Sequence, residues 1–317
     1  MTTAAEALVK PAALLPGAML AVLSPASTPR PELVQRGIER LHGLGYRTVL
    51  SPHALDSGPL YYAGTLEQRL GDLHAAFADS AVDGIVCTRG GWGSAELLPY
   101  LDAGLIRANP KVFVGYSDHT SLHGWFLKEA NLVSFYGPMV AADFARDGGV
   151  DLASWRHCFS GDGSWSLGGA DGLRVLRPGN ADGRLSGGCI SILAEALGTP
   201  YAPEVVAGGI LFLEDIGTKP YQWDRMLLHL RYAGVLDGVR GIVFGDMRQC
   251  VSAGEEEFLE RAILHALRDF EGPIAIGLRC GHVDGANVTL PLGVRVRLDL
   301  TEVGNPAMHF LEAAVTV

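Results

Sequence analysis

Short apolar runs alternate with segments in which apolar residues recur every three or four positions. In the first half, "GAMLAVLSPAS" (17–27), "YRTVLSP" (46–52), "VDGIVCTRGGWGS" (82–94), "KVFVGYS" (111–117) and "LVSFYGP" (132–138) read as strands. Between them, "PELVQRGIERLHGLG" sets Leu33, Ile38 and Leu41 near one face, and Gly45 closes it. "LEQRLGDLHAAFADS", "AELLPYLD" and "HTSLHGWFLKEA" also read as helices. Strands alternating with helices of 8 to 15 residues predict βαβ units and a parallel sheet covered on both faces.

The alternation weakens from about Gly148 to Gly188, where Gly, Asp and Ser accumulate around two short strand-like pieces. It resumes with the strands "GGILFLED", "VRGIVFGDM", "PIAIGL", "VRVRLDL" and "AAVTV" and the helices "YQWDRMLLHLRYAG" and "EEEFLERAILHALRDF". We therefore expect an N-terminal α/β domain over 1–147, a linker region over 148–185 and a C-terminal α/β domain over 186–317. At 317 residues the chain has room for two domains.

Composition narrows the function. A hydrophobic share of 48% against 19% charged residues supports a sizeable core. A net charge of −10 argues against a nucleic-acid polymer as partner, since neutralising phosphates needs a basic face. The cysteines Cys87, Cys158, Cys189, Cys250 and Cys280 are odd in number, scattered and free of C-x-x-C pairs. Neither a disulfide framework nor a zinc site is expected. The first 17 residues lack a charged region followed by a long apolar one, and no apolar run reaches about 18 residues. No signal peptide and no membrane span are expected, and the cytoplasm is the expected compartment.

Ligands of open α/β sheets sit beyond the carboxyl ends of strands. Two loops there stand out: Thr88-Arg89-Gly90-Gly91-Trp92-Gly93-Ser94 and Gly115-Tyr116-Ser117-Asp118. Ser117 follows a glycine and precedes a helix, as on a nucleophile elbow, but His119 breaks the G-x-S-x-G pattern. On these residues alone, Ser117 reads as a helix N-cap, with a nucleophile as the alternative. The glycines of the first loop suit either oxyanion binding or a tight turn. His119 is too close to Ser117 in the chain to serve as its base, whereas His282 lies in a Gly-rich loop after a strand. Glu214 and Asp215 end an apolar strand, where a carboxylate is either a helix-cap anion or a buried functional group.

These stretches fit one pattern together. The chain resembles the LD-carboxypeptidases, the serine peptidase family of muramoyltetrapeptide carboxypeptidases and microcin C immunity peptidases. The resemblance rests on "AGTLEQRLGDLHAAFADSAVDGIVCTRGGWGSAELLPYLD", "FVGYSDHTSLH", "GRLSGGCISIL", "FLEDIGTKPYQWDRMLLHLRYAG" and "GHVDGANVTLPLG", in order and with matching spacing from about Ser24 to Gly293. It implies an N-terminal parallel-sheet domain like that of class I glutamine amidotransferases, a C-terminal swivelling α/β domain and an active site between them. It implies a triad of Ser117, Glu214 and His282. In such a triad His282 takes the proton of Ser117 while Glu214 fixes the imidazole tautomer. Gly91 and Asp118 are the expected backbone oxyanion donors. Arg89 and Trp92 are expected to bind substrate, though Arg89 equally suits bracing the loop through carbonyls. Cys189 stands where the family often has Asn, and Trp92 where it usually has Tyr.

The activity implied is release of terminal D-alanine from murein tetrapeptides in cell-wall recycling, with no metal or organic cofactor and with a homodimer as the assembly. An immunity peptidase cleaving peptidyl- or aminoacyl-nucleotides is the alternative. A ligand-binding protein without catalysis is the alternative of another class.

Overall fold

A computed structural model describes residues 8–202 and 208–317. The first seven residues of the N-terminal stretch lie outside them.

The first sheet is laid down in the order the periodicity predicts. Strand β1 (Met19–Leu23) is followed by helix α1 (Pro31–Gly43), β2 (Arg47–Leu50), α2 (Leu66–Ala78), β3 (Gly84–Cys87), α3 (Ala103–Ala108), β4 (Val112–Gly115), α4 (Thr120–Trp125) and β5 (Ser134–Tyr136). Strands β3, β4 and β5 are buried throughout, as strands covered on both faces must be. The five strands run parallel in the order β5-β4-β3-β1-β2. The start of α2 shows local coding: the Thr65 hydroxyl accepts from the Gln68 N–H, and the Gln68 side chain accepts from the Thr65 N–H.

One expected helix differs. The stretch around "AELLPYLD" forms a 3₁₀ helix over Ser94–Tyr100, with Pro99 inside it. Proline has no N–H to donate and its ring crowds the preceding turn, which disfavours an α-helix here.

The second sheet has eight strands in the order β6-β14-β13-β8-β9-β10-β11-β7. They are β6 (Trp165–Gly168), β7 (Arg174–Arg177), β8 (Asn180–Cys189), β9 (Ile210–Glu214), β10 (Gly241–Gly245), β11 (Ile274–Leu278), β13 (Arg295–Asp299) and β14 (Ala307–Phe310). Its centre, β8 to β11, is parallel, and the flanking strands are antiparallel. Helix α5 (Leu152–Ser160) precedes this sheet in the chain. Helices α6 (Ile190–Ala196), α7 (Pro220–Tyr232) and α8 (Glu256–Ala266) follow β8, β9 and β10. Residues 148–185 thus hold α5, both edge strands and the first half of β8. The C-terminal "AAVTV", expected as a strand, contributes only a bridge between Thr316 and Ala12.

The two sheets share chain and core. Strand β12 (Leu290–Leu292) leaves the second half to pair antiparallel with β5 in the first sheet. One large core joins residues of β1, β3, β4 and β5 with Phe212, Val243 and Leu278 of the second sheet. A smaller core lies under α6, α7 and α8. Both domains of the architecture meet at the carboxyl ends of β4 and β5 on one side and β8, β9 and β11 on the other.

Candidate active site

Strand β4 ends at Gly115, and the chain turns sharply at Ser117, whose φ is +65°. Left-handed backbone at a non-glycine residue costs on the order of 1 kcal/mol or more. The turn continues as a single 3₁₀ turn over Ser117–His119 into α4. Tyr116, not Ser117, occupies the cap position, and no side-chain cap bond is made there. The Ser117 side chain instead stands beside the Gly-rich loop: a Cβ on Gly90 would lie 3.0 Å from Ser117 Cβ and 3.2 Å from its Oγ. Ser117 is half-buried.

Glu214 and His282 come together from the second sheet. Glu214 is the last residue of β9, fully buried, and its Oε2 lies 2.8 Å from His282 Nδ1. The same oxygen accepts the His282 main-chain N–H at 3.0 Å. Burial raises the Glu214 pKa, but the His282 charge and the hydrogen bonds from His282 and Tyr136 outweigh it and leave the carboxyl below its ordinary value. Burial lowers His282, but Glu214 beside it, with Asp215 and Asp143 further off, leaves the imidazole above its ordinary value. Gly281, with φ +92°, brings the loop onto the carboxylate, and the Asn287 side chain accepts the Gly281 N–H at 3.0 Å.

The neighbouring acid has another task. Asp215 Oδ2 accepts the Ser191 N–H at 3.2 Å, in the first turn of α6. The two alternatives weighed for a carboxylate at this strand end are thus divided between the pair. Glu214 faces the histidine, and Asp215 caps a helix.

Two further contacts carry the nucleophile turn to the second sheet. Tyr136, the last residue of β5, accepts the Ser117 N–H at 3.0 Å and donates to Glu214 Oε1 at 2.5 Å. Thr120 donates to the Ser117 carbonyl at 2.7 Å and accepts the Cys189 N–H at 2.9 Å. The His282 ring packs edge-on to Tyr116, with centroids 5.1 Å apart. Among the described residues, no hydrogen bond joins Ser117 Oγ to His282. The sequence reading missed Tyr136, Thr120 and the brace from Asn287. Tyr136 ends a strand and Thr120 opens a helix, while Asn287 lies in the loop before β12, so no single local signal marks the three.

The remaining expected residues are distributed as follows. The Asp118 carboxylate is buried and accepts the Ser94 N–H at 2.8 Å, tying the Ser117 turn to the Gly-rich loop. Its main-chain nitrogen faces Gly90, 3.4 Å from a Cβ placed there. Gly91 has φ +105°, and its N–H has no partner among the described residues. Arg89 is exposed and, among the described residues, its side chain hydrogen-bonds only the Thr28 carbonyl, at 3.5 Å. Trp92 lines a cavity of about 150 Å³ between the 3₁₀ helix, α4 and α6, with Leu98, Thr120, Ile192 and Glu195. Cys189 is buried near Glu214 and Asp215. Burial, then those carboxylates, push its thiol well above the ordinary range, so it stays neutral. His119 is buried against Phe113 and pushed down to about 3 by burial and by His123. It cannot reach solvent or take part at the site. No cluster among the described residues has the composition to hold a metal ion.

Comparison with known proteins places this geometry. The model of the LD-carboxypeptidase N-terminal domain matches residues 20–137, and that of the C-terminal domain matches 182–298. The chain belongs to the LD-carboxypeptidase family. It is therefore a serine-type peptidase hydrolase. It is 39% identical to a Streptomyces coelicolor protein whose name proposes a carboxypeptidase, over 92% of this chain and 94% of that one. It is 36% identical to a Bacillus subtilis protein whose name proposes a murein peptide carboxypeptidase, over 92% of each. Among solved structures, the muramoyltetrapeptide carboxypeptidase of Oxalobacter formigenes matches with a TM-score of 0.82 and 30% identity, covering 94% of this chain and all of that one. The microcin C7 self-immunity protein in complex with aspartyl sulfamoyl adenosine matches with a TM-score of 0.88 and 25% identity, covering 97% of this chain and all of that one. In this LD-carboxypeptidase the strained serine and the carboxylate–histidine pair lie on opposite sides of the junction between the two family domains.

Proposed function

We propose that Ser117, His282 and Glu214 form the catalytic triad of a carboxypeptidase that releases the terminal D-alanine of murein tetrapeptides. The observation that carries this reading is the Glu214–His282 pair, at 2.8 Å, linked through Tyr136 to a serine held at φ +65°. Peptidase relatives named for murein peptides at 30% identity and above favour this substrate class.

The chemistry follows from the atoms available. Glu214 holds the proton of His282 on Nδ1 and leaves Nε2 as acceptor. Ser117 Oγ attacks the carbonyl at the L-centre of the diamino acid, and its proton passes to Nε2. The carbonyl oxygen becomes an oxyanion, for which the Asp118 and Gly91 N–H groups are the proposed donors. Collapse breaks the amide bond, and the imidazolium gives its proton to the departing amino group of D-alanine. Water, deprotonated by the same nitrogen, then hydrolyses the acyl-enzyme. Contact between Oγ and Nε2 tightens once substrate fills the site.

The cavity beside Trp92 and Thr120 is the proposed seat of the substrate side chain nearest the scissile bond, and Arg89 the proposed partner of the substrate's terminal carboxylate. The domain limits 1–147 and 186–317, a homodimer and a cytoplasmic location remain part of the same proposal.

The test is mass spectrometry of products from a purified tetrapeptide. Wild type is expected to yield tripeptide and D-alanine, and Ser117→Ala neither. Undiminished turnover by Ser117→Ala would sink the mechanism. The immunity-peptidase alternative rests on the likeness to the microcin protein. Preferential hydrolysis of an aminoacyl sulfamoyl adenosine over the tetrapeptide would favour it.

A further inference from the structure

The Tyr136 hydroxyl touches both halves of the site at once. Its partners fix which way each bond runs. The Ser117 N–H can only donate and an ionised carboxylate can only accept. The single phenolic hydrogen therefore goes to Glu214 Oε1, while the phenolic oxygen receives the Ser117 N–H. Burial first, and Glu214 second, push the phenol well above its ordinary value, so it remains a donor across the working range of pH.

The ring is locked where this bridge needs it. Tyr136 is fully buried, edge-on to Phe212 at 5.5 Å and tilted against Tyr116 at 6.1 Å and His123 at 5.7 Å. Gly188 faces it so closely that a Cβ there would lie 3.0 Å from the ring edge. Glu214 thereby divides its oxygens. Oε1 takes the phenol, and Oε2 takes the His282 ring and main-chain N–H groups, with the ring 3.2 Å from Oε1. Without the phenol, Oε1 keeps only that longer contact, and the carboxylate is held by His282 alone, chiefly through Oε2.

We propose that Tyr136 is a positioning residue of the reaction: its hydroxyl holds the Ser117 turn and the Glu214 carboxylate in one frame. The strained nucleophile and the tautomer of its base are then set by the same atom. This rests on the triad reading of Ser117, Glu214 and His282. It also has a consequence for the oxyanion. The Ser117 N–H is already engaged, so the donors must come from the following residue and from the Gly-rich loop.

Tyr136→Phe removes the hydroxyl and leaves the ring. A hydrogen bond to a charged group carries a factor of about 10 to 100. The variant is expected to lose that much in kcat for D-alanine release, with KM within about twofold. Labelling of Ser117 by a fluorophosphonate slows by the same order. Glu214, relieved of a donor, holds the imidazolium more tightly, so the acid limb of kcat/KM moves to higher pH. A purely structural role would lower the melting temperature without moving that limb. Folded Tyr136→Phe with wild-type kcat and an unchanged pH profile overturns the proposal.

Should Tyr136→Phe fail to fold, 3-fluorotyrosine at position 136 keeps the ring and the hydroxyl and donates more strongly. The acid limb then moves to lower pH, and an unmoved limb overturns the proposal. Wild-type enzyme is the control for the triad itself. If the fluorophosphonate leaves wild-type Ser117 unlabelled, the triad reading fails and this proposal with it. A labelled wild type with an indifferent Tyr136 overturns this proposal alone.

Discussion

At the scale of single residues, the site keeps a charge where burial opposes it. Glu214 is 1% exposed yet lies below its ordinary pKa, because three N–H or O–H groups point at it and His282 carries the opposite charge. The histidine is correspondingly raised above 6.5. A base must be neutral to accept a proton. The expected rate profile therefore rises with pH through a group titrating above the ordinary imidazole value, not at it. Glu214→Gln reverses the sign. With the neighbouring charge gone, burial is the leading influence on His282, and the acid limb shifts to lower pH. The amide also donates to Nδ1 and leaves the proton on Nε2, the wrong tautomer for a base. A loss of about 10⁴ in kcat is the precedent for that change in a serine triad. Initial rates of D-alanine release from pH 5 to 9 for both proteins check this. An acid limb for Glu214→Gln at or above that of wild type would contradict it.

At the scale of elements, the site is made by turns at strand ends, and the turns need particular backbones. Gly281 is the clearest case. Its φ is +92°, and a Cβ there would run into the Glu214 carboxyl group. Gly281→Ala must therefore strain the backbone and push Glu214 away from His282. A loss of more than about 2 kcal/mol in unfolding free energy is expected, with at least a hundredfold fall in kcat. Urea titration and initial rates measure the two, and a variant with wild-type values of both would refute the account. The same turns explain what could be read in the sequence. The strand and helix order of the first sheet follows from local periodicity, and Ser117, Glu214 and His282 each sit at a strand end that the apolar runs announce. Tyr136 was not legible as a partner of Glu214, because the bond joins residues 78 apart across two sheets. Nor does local pattern separate Glu214 from Asp215, since both follow the same apolar run and only the fold decides which one caps α6. The strained φ of Ser117 was legible only through the nucleophile-elbow alternative, because a serine before a helix is usually its cap.

At the scale of the molecule, the question is whether two sheets make two folding units. The matched families divide the chain into N- and C-terminal domains, at 20–137 and 182–298. The packing joins them. Strand β12 comes from the second half and completes the first sheet, setting Leu290 opposite Tyr136 and Leu292 opposite Ser134. The large core draws Phe212, Val243, Leu278, Ala314 and Val315 together with β1, β3, β4 and β5. The Tyr136–Glu214 and Thr120–Cys189 bonds cross the same junction, fully out of water at Tyr136 and Glu214. Unfolding the first half alone would expose part of the shared core and take the Tyr136 donor from Glu214, and unfolding the second alone would expose the same core and remove β12 from the first sheet. Chains of this length often unfold in stages when their domains have separate cores. Here the shared core favours one cooperative transition. In urea, loss of far-ultraviolet ellipticity, tryptophan fluorescence and D-alanine release should share a midpoint at fixed protein concentration. Activity lost at clearly lower urea than ellipticity would instead show that the junction opens first, with each sheet stable by itself.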